Sequence, residues 1–346
     1  MTTPRRLTIV LIIATPGQGW GGMEQHTADL SGELARRGHR VHVLAHPDYQ
    51  QRFPATVNFQ SLPLHLGRRN PWLALRLRQT LNKLSPDVVH AQGNKAAALL
   101  SGTRESRSIK VGTVHGTKSS HKAFRKLNGV IAVSKGICQT LQPLNAKLIY
   151  NGIKPQNIGA ETTFPLPEVP VFALAIGRLE PVKQFDNLIS AWAYIKPPIP
   201  LYILGEGSEA PRLKALIQEL GAGHFIKLPG YEQNPAAWLT RASVCVVSSQ
   251  REGFPYSLIE ALIARCPVLS TPVNGAIDLL PAESLAKATD LSALKTMLSE
   301  QLSDLEELKT SQAACFEYAS RELTLEAMAS RTEAFYFELL NGKSHS

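Results

Sequence analysis

Short, unbroken apolar runs recur along the chain, separated by longer stretches whose apolar positions follow a helical spacing. In the first half the runs fall at residues 7–13, 41–44, 87–90, 110–114, 130–133 and 147–150. A second series falls at 171–176, 201–204, 225–228, 244–247 and 268–270. Runs of Val, Ile and Leu without polar alternation mark strands buried on both faces, and helices between them mark parallel sheets. Between the series lies "NGIKPQNIGAETTFPLPEVP", residues 151–170, rich in Pro and Thr and without a period, which reads as a linker. The pattern predicts two doubly wound α/β domains, residues 1–155 and 156–324, with a cleft between them and ligands beyond the carboxyl ends of the strands.

Composition narrows the class. With 346 residues, 44% hydrophobic and 19% charged, each domain can bury its own core, and wholesale disorder is excluded. The run at 7–13 is too short to span a bilayer and too short for a signal peptide, and it ends in Pro16 and Gly17, so it reads as a strand. Cys138, Cys245, Cys266 and Cys315 share no metal-ligand spacing and read as reduced thiols in a cytoplasmic protein. Charge is divided unevenly. Residues 1–155 carry 22 Lys and Arg against 6 Asp and Glu, a formal +16; residues 156–346 carry the remaining 15 against 22, a formal −7. The basic half calls for a polyanionic partner, either nucleic acid or an anionic membrane surface.

Candidate chemistry sits where strands end. Gly17, Gly19, Gly21 and Gly22 stand between the first strand and a helix whose apolar points are Met23, Thr27, Leu30 and Leu34 and whose C-cap is Gly38. Such glycines let backbone N–H groups approach a phosphate, though the spacing is neither a Walker loop nor GxGxxG, and a plain flexible loop is the alternative. Arg178 and Lys183 follow a strand and precede a helix, a placement that neutralises a diphosphate; singly they are surface cations. "LGEGSEAPRL" reads as a turn and a helix capped near Ser208. In "SSQREGFPYSLIEAL" a helix starting near Pro255 carries Glu260 about 7–8 Å along its axis while Glu252 stays on the preceding loop.

Nine segments in register, among them "GWGGMEQHTADLSGELARRGHRV", "DVVHAQG", "GTVHGT", "GRLEPVKQFDNLI", "LPGYEQNP" and "SSQREGFPYSLIEAL", resemble glycosyltransferase family 4, of the lipopolysaccharide-core type. The resemblance covers nearly the whole chain. It implies the GT-B fold, two Rossmann-like domains around a cleft, and retaining transfer of a hexose from a nucleotide sugar, with a UDP-sugar as the expected donor. It implies that Glu252 contacts the donor sugar, Glu260 the ribose, and Arg178 and Lys183 the diphosphate, with Gly22 approaching from the other domain. The N–H groups of Gly253 and Phe254 would hold sugar oxygens, Tyr231 would meet the nucleobase, and His115 would lie beside the reacting sugar. A structural tyrosine and a satisfied histidine are the alternatives for the last two. Pro255 stands where many relatives have glycine, and Asn274 and Asp278 depart from the usual pattern of "STPVNGAID". No Asp-x-Asp motif occurs, and the resemblance implies neither metal nor cofactor. In relatives the last helix, here about 325–341 with Leu325, Met328, Phe335 and Leu339 as apolar points, crosses back onto the first domain.

Two basic segments bear on the acceptor. "LGRRNPWLALRLRQTLNKL" interleaves Arg68, Arg69, Arg76, Arg78 and Lys83 with Trp72, Leu73, Leu75 and Leu77, and reads as a membrane-surface helix or a solvated one. Lys118, His121, Lys122, Arg125 and Lys126 follow His115 and suit phosphates on an acceptor. An anionic glycolipid, lipopolysaccharide core or a polyprenyl-diphosphate sugar, reached from the cytoplasmic face of the inner membrane, fits both. A nucleic-acid binder would explain the charge but not Glu252 and Glu260, and no nucleic-acid motif is evident. A GT-B sugar-nucleotide epimerase would need no basic amphipathic surface.

Overall fold

The computed structural model describes residues 5–17, 19–64, 66–67, 70–103, 107–117, 120–154, 161–195, 197 and 199–343. They form two compact units: residues 1–154 with 325–346, and residues 155–324. The returning segment adds two basic and three acidic side chains to the first unit, which remains strongly basic at a formal +15.

In the first unit the strands are β1 (Thr8–Ile13), β2 (Arg40–Ala45), β3 (Asn58–Ser61), β4 (Val88–Gln92), β5 (Ile109–Val114), β6 (Gly129–Ala132) and β7 (Ala146–Leu148). They make a parallel sheet in the order β3-β2-β1-β4-β5-β6-β7. Its helices are α1 (Gly22–Arg36), α2 (Pro71–Leu84), α3 (Gly93–Ser101) and α4 (Lys135–Thr140). Strand order reverses between β1 and β4, and that gap is where a doubly wound sheet opens a crevice. The pattern of apolar runs does not reveal β3, because "NFQS" is an edge strand with Phe59 as its one apolar residue. At its start α2 is held by Asn70, whose side chain accepts from Leu73 N–H at 3.0 Å. At the end of α1 the left-handed turn falls on Gly38 (φ +94°), one position beyond the cap at Arg37.

The second unit holds β8 (Ala173–Ile176), β9 (Leu201–Leu204), β10 (Ile226–Gly230), β11 (Val244–Val247) and β12 (Val268–Ser270) in a parallel sheet ordered β10-β9-β8-β11-β12. Its helices are α5 (Phe185–Ile195), α6 (Ala210–Glu219), α7 (Pro235–Leu239), α8 (Tyr256–Ile263), α9 (Ala276–Leu279), α10 (Leu291–Gln301), α11 (Leu305–Ser311) and α12 (Ala313–Glu322). Here the order reverses between β8 and β11. Gly205 (φ +145°) packs directly on the Gly177 carbonyl, so no side chain fits between the loops that end β8 and β9. Two local expectations need correction. The cap of α6 is Glu209, while Ser208 instead donates to Glu180 at 3.3 Å. The linker reading of 151–170 is too broad: residues 161–170 belong to the second unit, tied there by hydrogen bonds to Glu232, and 155–160 lie outside the described residues.

The last helix, α13 (Leu325–Lys343), packs in the first unit. Met328, Ala329, Phe335 and Tyr336 enter the same core as Leu30 and Leu34 of α1 and Val111 of β5. A Cβ on Gly129 would lie 2.6 Å from the Phe335 ring, so β6 admits this helix only with glycine there. Polar contacts fix its register. Leu7 N–H donates to His39 Nδ1 at 3.2 Å, so the ring's Nε2–H is left to donate to Glu333 at 2.9 Å, and Arg37 reaches the other Glu333 oxygen at 3.0 Å. Deeper in, Tyr336 Oη lies 2.6 Å from His90 Nδ1, and His90 Nε2 lies 2.7 Å from Thr113 Oγ1, all three buried. Replacing Tyr336→Phe leaves that imidazole nitrogen unpaired in the core. Denaturant unfolding should show a loss of about 1–3 kcal/mol.

Candidate active site

In the second unit the loops that follow β8 and β11 are stitched together. A single turn of 3-10 helix at Pro181–Lys183 and a left-handed Gln184 (φ +49°) bring Lys183 beside the loop at 248–252. Gln250 N–H donates to the Val182 carbonyl at 2.9 Å and Ser248 Oγ to the Lys183 carbonyl at 2.8 Å. The Lys183 ammonium donates to Glu252 Oε1 at 2.6 Å, with side chains only 19% and 17% exposed. Ser249 Oγ donates to the same oxygen at 2.8 Å, and Asn274 Nδ2 holds the Glu252 carbonyl at 3.2 Å. An ammonium carries three N–H donors, so Lys183 can hold Glu252 and still offer two to phosphate oxygens. Arg178 is exposed at the end of β8 and makes no ion pair among the described residues.

Helix α8 begins after Pro255, its N-cap, and carries Glu260, half-buried, more than one turn along. Gly253 and Phe254 are buried, and the Phe254 ring lies where a Cβ on Gly275 would fall, at 2.7 Å. Gly275 (φ +85°) is thus held open for that ring. Tyr231, 57% exposed, stands on the loop after β10. Its position depends on its neighbour. The buried Glu232 carboxylate accepts from Thr163 N–H (3.0 Å), Phe164 N–H (3.3 Å), Asn234 N–H (2.8 Å) and Trp238 Nε1–H (3.2 Å).

In the first unit the carboxyl ends of β1, β4 and β5 surround a pocket of about 380 Å³, lined by Thr15, Met23, Gln92, Asn94, Lys95, His115 and Phe124 among others. His115 Nε2 lies 2.7 Å from Gln92 Oε1, and the His26 ring meets it edge-on at 4.7 Å. Burial, reinforced by the neighbouring His26 and His90, holds the His115 imidazole well below its ordinary value, so it is neutral near pH 7. Burial likewise brings His26 down to about 4, against a smaller opposing effect of Asn151, and His90 to about 3.

The geometry groups some of the expected residues and separates others. It brings Lys183 and Glu252 into contact and leaves Arg178, Gly253, Phe254, Glu260 and Tyr231 on the same unit. Gly22 is the first residue of α1, and the N–H of the preceding Gly21 already donates to Glu24 Oε2 at 3.1 Å, so this helix end carries its own carboxylate. Of the cationic segment after His115, Lys118 lies outside the described residues; Lys122, Arg125 and Lys126 are exposed, and the pocket is lined from here by Phe124 instead. His121 Nε2 is bonded to Thr140 Oγ1 at 3.1 Å, and burial lowers its pKa. Ser249, Glu232, Gln92 and Asn94 were not singled out in the sequence. The signal for each was its place two or four residues beyond a strand run.

Residues 20–157 match the family model of Glycosyltransferase Family 4, and residues 162–321 match that of Glycosyl transferases group 1. The chain therefore belongs to the glycosyltransferases of the GT-B fold. It is 30% identical to the N-acetylgalactosamine-N,N'-diacetylbacillosaminyl-diphospho-undecaprenol 4-alpha-N-acetylgalactosaminyltransferase of Campylobacter jejuni, over 51% of this chain and 52% of that protein, so the match spans about half of that relative. It is 25% identical to the lipopolysaccharide core biosynthesis glycosyltransferase LpsE of Rhizobium meliloti, over 81% of this chain and 89% of that one. The crystal structure of HepE from Anabaena in complex with UDP-glucose superposes with a TM-score of 0.78 at 19% identity, covering 96% of this chain and 100% of that one.

Glu232 gives a pH test of this site's scaffold. Burial opposes its ionisation, but the hydrogen bonds from Asn234, Thr163, Phe164 and Trp238 outweigh it and hold the pKa below the ordinary 4.5. A depressed carboxylate stabilises the fold above its unfolded pKa and loses that contribution as pH falls through the folded value. Glu232→Gln should therefore cost about 1–3 kcal/mol at neutral pH. The gap from wild type should narrow below pH 4.5, as read by thermal unfolding across an acid series.

Proposed function

We propose that the chain transfers a hexose, with retention, from a nucleotide sugar to a membrane-associated glycan acceptor, with UDP as the nucleotide and lipopolysaccharide core as the acceptor. The observation that carries the donor half is the Lys183–Glu252 pair at 2.6 Å between the two loops that flank the switch point of the second sheet. In this reading Arg178 and the two remaining Lys183 donors neutralise the departing diphosphate, so that cations of the chain do what a metal would otherwise do. Glu252, oriented by Lys183 and Ser249, accepts hydroxyls of the sugar, and Glu260 accepts the ribose hydroxyls. The N–H groups of Gly253 and Phe254 and the Tyr231 ring complete the donor contacts. The acceptor hydroxyl attacks from the face that the diphosphate leaves, with neutral His115 beside the sugar. UDP as the nucleotide is supported by HepE, which binds UDP-glucose, and the acceptor by LpsE, which is named for lipopolysaccharide core synthesis. The undecaprenol-linked acceptor in the Campylobacter relative's name supports a second reading, a polyprenyl-diphosphate sugar.

The surface of the first unit favours attachment at an anionic membrane, which we place at the cytoplasmic face. No helix among the described residues is long and apolar enough to cross a membrane. On α2 the buried side is Leu73, Leu77 and Leu81, positions four apart on one helix face, so of the apolar residues interleaved with the cations Leu73 and Leu77 are withdrawn from the surface. Trp72 and Leu75, 50% and 52% exposed, face outward with Arg76, Arg78 and Lys83, and the Arg76 guanidinium lies 5.6 Å over the Trp72 ring. Arg68 and Arg69 lie outside the described residues. The acceptor-phosphate role of Lys118, His121, Lys122, Arg125 and Lys126 is retained; of these, His121, Lys122, Arg125 and Lys126 do not line the pocket and would act as a docking surface beside it.

Two experiments test this reading. UDP or a UDP-sugar should raise the melting temperature of the wild-type chain, and Lys183→Ala should bind roughly ten- to a hundredfold more weakly, the loss of one charge-assisted contact. Undiminished binding by this variant would show the donor site to be misplaced. Replacing Arg76 and Arg78 by Gln should weaken binding to anionic vesicles roughly thirtyfold at moderate salt, each cation near the surface contributing about 1 kcal/mol. Cosedimentation should also fall steeply with ionic strength. Equal binding by variant and wild type would leave α2 a solvated helix.

A further inference from the structure

We propose that Gln92 is a positioning residue for His115: its carbonyl Oε1, having no proton to give, takes the Nε2–H at 2.7 Å and fixes the ring in the tautomer with a lone pair on Nδ1. Gln92 is the last residue of β4, almost wholly buried, in register with Ile13 of β1 and Thr113 of β5, so its backbone sits in the centre of the sheet. A second observation points the same residue toward a ligand. Its amide Nε2 is buried without a hydrogen-bond partner among the described residues, as is Asn94 Oδ1 two residues on, and both residues line the His115 pocket. Buried polar atoms are rarely left unpaired, and a donor and an acceptor in one wall suit the hydroxyl groups of a sugar ring. Gln92 thus holds His115 with its Oε1 and, as a lining residue, has a buried amide donor left over for a pocket ligand.

The choice of an amide has a chemical consequence, resting on the glycosyl-transfer reading above. Glycosyl transfer builds positive charge on the sugar ring in its transition state. A carboxylate beside the imidazole would stabilise an imidazolium, as it does in hydrolase triads, and would set a cation against that charge. A glutamine orients the ring without making it more basic. The titratable groups that face His115 are His26 from α1, His90 from β4 and Lys95 from α3; Tyr336 of α13 reaches it only through His90. Burial holds the first two neutral, in agreement with a neutral His115.

Imidazole 1H–15N spectra of the full-length chain, recorded from about pH 5 to 8, read the ring directly and independently of any substrate. Wild-type His115 should carry its proton on Nε2 throughout. In the isosteric Gln92→Glu variant it should become an imidazolium toward the acid end, because the new carboxylate raises its pKa and the cation exists below that value. Turnover of Gln92→Glu should fall on the order of a hundredfold where His115 is charged and recover as pH rises, with the donor KM unchanged. Gln92→Asn, which withdraws the amide by one methylene, should lose the single tautomer, and it gives a readout if the Gln92→Glu substitution unfolds the unit. A wild-type proton on Nδ1, or a Gln92→Glu spectrum identical to wild type, would overturn the proposal. A spectral change with no change in the pH profile would sever His115 protonation from the reaction. Absence of sugar transfer by wild type alongside the expected spectra would defeat the functional reading instead.

Discussion

A strand buried on both faces can offer polar groups to a ligand only at its ends, and the candidate residues that the sheets themselves position obey that constraint. The inner strands of both sheets are largely apolar, with His90 of β4 and Thr113 of β5 as buried polar exceptions that pair with each other, as expected of strands covered on both faces. Parallel connections then bring all the carboxyl ends to one edge, and the reversal of strand order parts two of them. In the first unit that edge gathers Thr15, Gln92 and His115; in the second it gathers Arg178, Lys183, Ser249 and Glu252. The two units solve one geometric problem with different chemistry. The first offers neutral amides and imidazoles kept uncharged by burial, the second a paired cation and carboxylate with an exposed arginine.

Polar groups in the interior serve register rather than reaction. His39, with both ring nitrogens engaged, ties the start of β1 to Glu333 of the last helix, and Tyr336, His90 and Thr113 form a chain across the sheet. Such contacts add little net energy each, but an error of one turn in α13 would leave several buried groups unpaired. Glu232 does the same in the second unit, where four N–H groups on two segments converge on one carboxylate. Tyr231, its neighbour, is exposed yet held in place.

Charge acts at longer range. The basic balance belongs to the first unit even after the last helix joins it. On α2, Trp72 supplies an amphipathic ring and Arg76 stacks over it, a pairing suited to the boundary between water and lipid headgroups. Lys122, Arg125 and Lys126 are exposed, whereas the pocket beside His115 has a largely neutral lining.

The alternation of apolar runs and helical stretches determined the fold class, because a doubly buried parallel strand leaves an unmistakable run of Val, Ile and Leu. Ten of its eleven runs overlap a described strand by three residues or more, and 147–150 shares two residues with the edge strand β7; β3 escaped because one apolar residue makes no run. The glutamates of "SSQREGFPYSLIEAL" were legible as a loop residue and a helix residue, since Pro255 caps α8. Tertiary structure alone decided which partners these residues have. That Lys183 meets Glu252 across 69 positions, that Gln92 meets His115 across 23, and that Glu232 gathers N–H groups from 163–164 could not be read from spacing. A sequence records the period of one element, whereas a hydrogen bond between loops depends on how separate strands are ordered in the sheet, and that order is set by the packing of the whole core.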